Sequence, residues 1–243
     1  MDQWLDPCSN PQEPFRIRAT CVLQEAGMSV RDDSRFSIPS HSLISRQTMH
    51  GCQTWLMLTE RFQRALVFAA QRHDGEHRQG SSVPYISHLL STSALVLESG
   101  GDEDQAIAGL LHDSIEDGKA SYDEIQDRFG ARVAELAQAC SAPETSQDSA
   151  WRERKEAYLA VLRLQPPSAA LVANADKLDN ARSVLYDYRR LGNGLWARFK
   201  SDAEPLWYFR SLADLYLEMD SHSALAAELD RTVCDLERLV AEA

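Results

Sequence analysis

From residue 58 to the C-terminus, apolar residues recur every three or four positions and almost nowhere alternate. Such a chain must bury helical stripes rather than sheet faces. In "TERFQRALVFAAQRH", Phe62, Ala65, Leu66 and Ala69 fall on one side of a helix that Thr59 can cap. The loop "DGEHRQGSSVP" follows, punctuated by Gly75, Gly80 and Pro84, with a short extended piece near Val83. "YISHLLSTSALVLE" is the next helix, closed by Gly100 and Gly101, and "DEDQAIAGLLHDSIED" runs to Gly118. "SYDEIQDRF" opens with Ser121 and Glu124 in capping-box register. "ARVAELAQAC", "WRERKEAYLAVLRL" and the long "SAALVANADKLDNARSVLYDYRRL" behind Pro166-Pro167 continue the pattern. "LWARFK", "PLWYFRSLADLYLEM" and "SALAAELDRTVCDLERLVAEA" complete it. The expectation is an all-α bundle of about ten helices in one domain over residues 57–243, with room for a short β-hairpin. Residues 1–56 are rich in Ser, Pro and Gln without a period, and read as a poorly ordered extension. Met49 and Met57 could each serve as an alternative start.

Charge and cysteine usage exclude several classes. The chain carries 25 Lys+Arg against 37 Asp+Glu, a formal net charge of −12. Its mean field repels phosphate, so DNA and anionic membrane are poor partners, and a phosphate-bearing ligand needs a local cluster of cations or a metal ion. The five cysteines are scattered, with no CxxC, which points to free thiols in a reducing cytosol rather than a disulfide frame or a zinc site. No signal peptide and no membrane-length apolar run are visible, so the expected compartment is the cytoplasm.

One helix poses the chemical question. In "AIAGLLHDSIEDG", Ile107, Leu110, Leu111 and Ile115 form an apolar face, at about 100° per residue. His112, Asp113 and Glu116 share the opposite face, with Asp117 at its edge. Alone, this set could be a solvated acidic face. Two other stretches shift the balance. His88 stands on an otherwise apolar helix, where a single histidine usually belongs to the core. Asp176 sits inside the apolar "LVANADKLDNARS", where an unpaired aspartate is rarely buried. Asn180 and Ser183 fall on the same side of that helix as Asp176. Together, His88, His112, Asp113 and Asp176 make a coherent ligand set. Two imidazoles and two carboxylates suit a borderline-to-hard divalent ion such as Mn²⁺ or Fe²⁺, with Zn²⁺ as a third option. Glu116, one turn after His112, would project beside that ion and could orient or deprotonate a water, with Asp117 as its neighbour.

At these residues the sequence resembles the HD superfamily of metal-dependent phosphohydrolases. More narrowly, it resembles the hydrolase domain of RelA/SpoT enzymes and the single-domain small alarmone hydrolases. The matching pieces are "HDGEHRQGSSVPYISHLL", "AIAGLLHDSIEDG", "YDEIQDRFGARVAEL", "ERKEAYL" and "NADKLDNARSV", in the family's order. The resemblance implies an HD-type helical bundle. It implies a single Mn²⁺ held by His88, His112, Asp113 and Asp176, and a Glu116–Asp117 pair that activates water. It implies that Arg78 packs on a nucleobase, that Tyr85 lies in the pocket wall, and that Asn180 and Ser183 contact the ribose and phosphates. Arg154 and Lys155 would reach a pyrophosphate, although both also fit an ordinary exposed helix face. Gln79 stands where the family often has lysine, with His77 ahead of Arg78. Trp196, Phe199, Trp207 and Tyr208, aromatic residues at helical spacing, read as core.

The expected activity is removal of the 3′-pyrophosphate from (p)ppGpp to give GDP or GTP, ending stringent-response signalling. The same site could serve ppApp, NADPH or a pyrophosphorylated RNA end. A reading of another class is a non-catalytic nucleotide-binding or toxin-neutralising module. A homodimer is compatible with the sequence but not specified by it.

Overall fold

The computed structural model describes residues 58–141, 150–199 and 203–243. The extension expected over residues 1–56 lies outside the described residues. Among those described, nine α-helices and one 3₁₀ segment form an all-α bundle: α1 Glu60–Arg72, α2 Ile86–Glu98, α3 Glu103–Glu116, α4 Tyr122–Phe129, α5 Ala131–Cys140, α6 Trp151–Arg163, α7 Pro167–Leu191, the 3₁₀ turn Gly192–Arg198, α8 Pro205–Met219 and α9 Ala224–Ala241. The hairpin expected near Val83 is reduced to a single antiparallel bridge between His77 and Pro84. It closes the loop between α1 and α2, with Arg78 N–H donating to the Val83 carbonyl at 2.9 Å.

The helix starts follow their capping chemistry. Thr59 Oγ1 accepts from Arg61 N–H at 3.1 Å, and Ser121 Oγ accepts from Glu124 N–H at 3.1 Å. The Glu124 carboxylate pairs with Arg72 at 2.5 Å. The reciprocal capping box is found at Asp102 and Gln105, at the start of α3.

That helix is the axis of the fold, and here the structure corrects the simple wheel. Ile107, Leu110 and Leu111 pack against α1, α2, α4 and α5, through Phe68, Leu89, Ile125 and Val133. Ala106 and Ala108 belong to the larger core with α2 and α5 to α9. The helix is buried continuously from Gln105 to His112. Its polar side therefore turns into the protein at His112 and Asp113, while Glu116 and Asp117 at its end reach the surface. Each fully buried leucine or isoleucine here contributes about 1.5–3 kcal/mol by leaving water, which fixes the helix before any ligand binds.

Gly109 makes the sandwich possible. A Cβ built there would lie 3.2 Å from Ser93 Cα and 3.3 Å from Ser93 N on α2. In the same contact, Ser93 Oγ donates to the Ala106 carbonyl at 2.9 Å. In an exposed helix, Gly→Ala gains about 1 kcal/mol. At this position the backbone of α2 must retreat, so Gly109→Ala should lower stability by about 1–3 kcal/mol. Chemical denaturation of the two proteins measures the sign.

Candidate metal centre

Three helices deliver four side chains to one point. His88 projects from the first turn of α2, His112 and Asp113 from the second half of α3, and Asp176 from the middle of α7. His88 Nε2 is 3.4 Å from Asp113 Oδ2 and 3.3 Å from Asp176 Oδ1. His112 Nε2 is 3.2 Å from Asp113 Oδ2 and 3.8 Å from Asp176 Oδ1. One ligand atom each from His88, His112 and Asp176 lies within 4.8 Å of the other two. His88 and His112, at 2% and 1% exposed, and Asp176 at 3% are as buried as the surrounding leucines.

The orientation of the rings is fixed from behind. His88 Nδ1 meets Asp179 Oδ2 at 2.7 Å, and His112 Nδ1 meets the Gly109 carbonyl at 3.0 Å. Each ring thus presents Nε2 to the common centre, the arrangement that sets tautomer and direction in metal-ligating histidines. His112 Nε2 is buried and has no hydrogen-bond partner. A buried polar nitrogen left in that state is costly unless something else occupies its lone pair. The donor set of two imidazole nitrogens and two carboxylates fits a divalent cation. The carboxylates are also held: Tyr85 Oη donates to Asp113 Oδ2 at 2.7 Å, Asn180 Nδ2 donates to Asp176 Oδ1 at 2.5 Å, and Lys177 Nζ donates to Asp176 Oδ2 at 2.6 Å.

Electrostatics without an ion follow from this crowding. Burial alone would lower the His88 imidazole, but its contacts with Asp113, Asp176 and Asp179 outweigh burial and hold it well above its ordinary value. Burial likewise opposes the His112 cation, while the charges of Asp113 and Asp176 raise it overall. Burial would raise Asp113, but the His112 charge and the His88 contact carry it below the usual range. Asp176 is also raised by burial and lowered more strongly by Lys177 and the two histidines.

Glu116 and Asp117 lie at the exposed end of α3, with Asp117 as its C-cap. The enclosing protein pushes the Glu116 carboxyl up; Lys177 opposes this, and the charges of Asp113 and Asp176 add to it. Beside the four-residue centre opens a cavity of about 400 Å³. Arg78, Tyr85, Lys155, Asn180 and Ser183, all expected as ligand contacts, line it. Arg154 is half-buried on α6 and is not part of that wall.

Four features escaped the sequence reading. Asp179 joins His88 Nδ1 to Arg78 Nη1, the latter at 2.5 Å, while Arg78 Nη2 also donates to Asn180 Oδ1 at 3.1 Å. Its spacing of three from Asp176, which puts both on one helix face, was the available signal. Lys177 is a charged residue in the same apolar helix, and it enters the cavity wall beside Asp176. Tyr208 belongs to the core as expected and Phe199 packs against a smaller apolar cluster, and both also line the cavity. Nothing local distinguishes a core tyrosine from a pocket tyrosine; the docking of α8 against α6 and α7 decides it. Glu76 and Lys119 form a separate ion pair near Asp117.

Two outcomes follow for the metal-free protein. Its raised imidazoles keep their protons to higher pH than free histidine, and a metal ion must displace them. Ion affinity should fall as pH drops through the neutral range, with protons released on binding; calorimetry in buffers of different ionisation enthalpy measures both. Asp179→Asn should weaken ion binding by roughly 10–100-fold, the usual cost of losing a carboxylate behind a ligating histidine.

The chain spans 18% of the length of a relative from Aquifex aeolicus (strain VF5), named guanosine-3′,5′-bis(diphosphate) 3′-pyrophosphohydrolase, at 34% identity over 125 residues and 51% of this chain. A human relative, guanosine-3′,5′-bis(diphosphate) 3′-pyrophosphohydrolase MESH1, is 32% identical over 120 residues, 48% of this chain and 65% of that protein. The solved structure of a metazoan ortholog of SpoT, described as hydrolysing ppGpp, superposes with a TM-score of 0.59 at 23% identity. That match covers 72% of this chain and 95% of the other, and shows the shared fold. Residues 65–206, more than half of the chain, match the family model described as HD domain. With its paired His112–Asp113 at the centre of the bundle, the chain belongs to the HD domain family.

Proposed function

We propose that residues 57–243 form a metal-dependent (p)ppGpp hydrolase that removes the 3′-pyrophosphate and leaves GDP or GTP. The observation that carries this reading is the contact between a two-histidine, two-aspartate centre and a cavity of about 400 Å³ with cations along its walls. That volume suits a nucleotide-sized ligand. In an acidic chain, the cations Arg78, Lys155, Lys177 and Arg198 gathered there are the local exception that a polyphosphate requires. The relatives' names support the same substrate class.

In this reading His88, His112, Asp113 and Asp176 hold one Mn²⁺, the donor set favouring Mn²⁺ or Fe²⁺ over Zn²⁺. When bound, such an ion polarises a phosphoryl oxygen and acidifies water. Arg78, held by Asp179 and Asn180, offers a fixed flat cation for the guanine ring. Asn180 and Ser183 face the ribose. Lys155 and Lys177 receive the pyrophosphate charge. Tyr208 adds a neutral donor: its phenol is buried without a hydrogen-bond partner, and burial pushes it up to about 12, so it keeps its proton. Glu116 Oε, with its raised carboxyl, takes a proton from the attacking water, and Asp117 flanks it. The water oxygen bonds to the phosphorus next to the ribose, the P–O3′ bond breaks, and O3′ leaves with a proton. The products are pyrophosphate and GDP from ppGpp, with one water consumed. The scattered cysteines, without CxxC, support a reducing cytoplasmic setting.

Protein stripped with a chelator and resupplied with Mn²⁺ should convert ppGpp to GDP and pyrophosphate, read by mass spectrometry. His112→Ala and Asp113→Ala should abolish turnover; full activity in either variant refutes the assignment. Tyr208→Phe should cost about 1.5–3 kcal/mol of transition-state binding, one hydrogen bond to a charged group. Faster turnover of ppApp, NADPH or a pyrophosphorylated RNA end in the same panel would move the substrate. Tight ppGpp binding without turnover would make the domain a binding module.

A further inference from the structure

Behind the Asp113 side of the centre lies a second convergence, built by different residues. One ligand atom each from His73, Glu76 and Asp117 lies within 4.8 Å of the other two. His73 follows the last turn of α1, Glu76 belongs to the loop after it, and Asp117 caps α3. The His73 ring is fully buried, and its Nε2 meets Ser114 Oγ at 3.2 Å. Nδ1 points into the cluster, 3.1 Å from Glu76 Oε2; with the ring proton on Nε2 toward Ser114, Nδ1 is left as an acceptor for a cation. This mirrors His88 and His112, where one ring nitrogen is pinned so that the other faces the common centre.

A cation is already there. Lys119 Nζ lies 2.9 Å from His73 Nδ1 and 3.1 Å from Asp117 Oδ2, and also donates to Glu76 Oε2. An ammonium has three donors and no acceptor, so these three acceptors satisfy it completely. The turn that carries it is itself anchored: the backbone N–H groups of Lys119 and Ala120 both donate to the Ser114 carbonyl at 2.9 Å. The cluster touches the reaction centre at two places. Asp117 is one. The other is Tyr85, whose ring stacks on His73 at 5.1 Å between centroids while its hydroxyl donates to Asp113.

We propose that Lys119 is a resident cation in a three-ligand site formed by His73, Glu76 and Asp117, and that it positions the Asp117 carboxylate as a bound metal ion would. The ligand types explain the site. One imidazole nitrogen and two carboxylate oxygens are donors that suit a divalent transition-metal ion, and here a single ammonium contacts all three and offsets one of the two negative charges. Lys119 is thus a positioning residue acting through Asp117. The catalytic consequence rests on the hydrolase reading above; the cation site itself does not.

Removing the ammonium should expose the three ligands to divalent ions. Lys119→Ala and Lys119→Ser, each checked for unchanged helicity by circular dichroism, should bind one more equivalent of Mn²⁺ than the natural chain, counted by electron paramagnetic resonance of free ion. His73→Ala added to Lys119→Ala should abolish that increment. The readout is a difference between proteins, so a natural chain that bound no ion would sink the hydrolase reading while the increment still decided this site. On ppGpp, Lys119→Ala at one equivalent of Mn²⁺ should lose on the order of 10- to 100-fold in kcat with little change in KM, the scale of a misplaced catalytic group. Mn²⁺ beyond the first equivalent should restore part of that loss, but not in the double variant. An unchanged metal count in both Lys119 variants overturns the proposal.

Discussion

Everything in this fold serves the meeting of two imidazole nitrogens and two carboxylates inside a helical core. Left to themselves, such groups would stay in water, because burying charge is expensive unless it is paired and hydrogen-bonded. Each of them has a fixed partner behind it: Asp179 and the Gly109 carbonyl for the histidines, Tyr85 for Asp113, Asn180 and Lys177 for Asp176. His112 Nε2, buried without a hydrogen-bond partner, is aimed at the common centre. The apolar packing of α3 between the two cores supplies the energy that holds this costly arrangement.

The two cation positions share one logic. In each, a histidine is pinned at one ring nitrogen and presents the other beside two carboxylates. At the deeper position His112 Nε2 has no hydrogen-bond partner; at the outer one the ammonium of Lys119 fills the place. The difference is burial. Asp176 keeps 4% of its side-chain surface in solvent, whereas Glu76 and Asp117 keep 40% and 45%. A flexible lysine can reach the outer site from its own turn. At the inner position Lys177, on the same helix as Asp176, donates only to its far oxygen, Oδ2, and leaves Oδ1 beside the two histidines.

The cavity extends the same economy to the ligand. Arg78 is oriented by Asp179, the residue that also orients His88, so one carboxylate joins the wall of the cavity to the four-residue centre. Gln79 then ties that loop to the 3₁₀ turn through the Arg198 carbonyl at 3.0 Å. Gly80 permits this contact, since a Cβ there would meet the Arg198 side chain at 2.6 Å and its φ of +70° suits only glycine.

The sequence by itself determined the helices, most of their ends, and the four residues of the centre. Helical period and capping are local, and a histidine or aspartate in an apolar helix declares itself through its own neighbours, as His88 and Asp176 did. It also isolated the polar face of α3, because 100° per residue places His112, Asp113 and Glu116 together whatever surrounds them. Only tertiary structure decided that this face turns inward, since a helix wheel has no knowledge of a second core on its polar side. The same limit hid Tyr208, Phe199 and the His73–Glu76–Lys119 cluster. Their chemistry depends on distance across dozens of residues of chain, and helix docking alone brings them within a hydrogen bond or a ring's width of their partners.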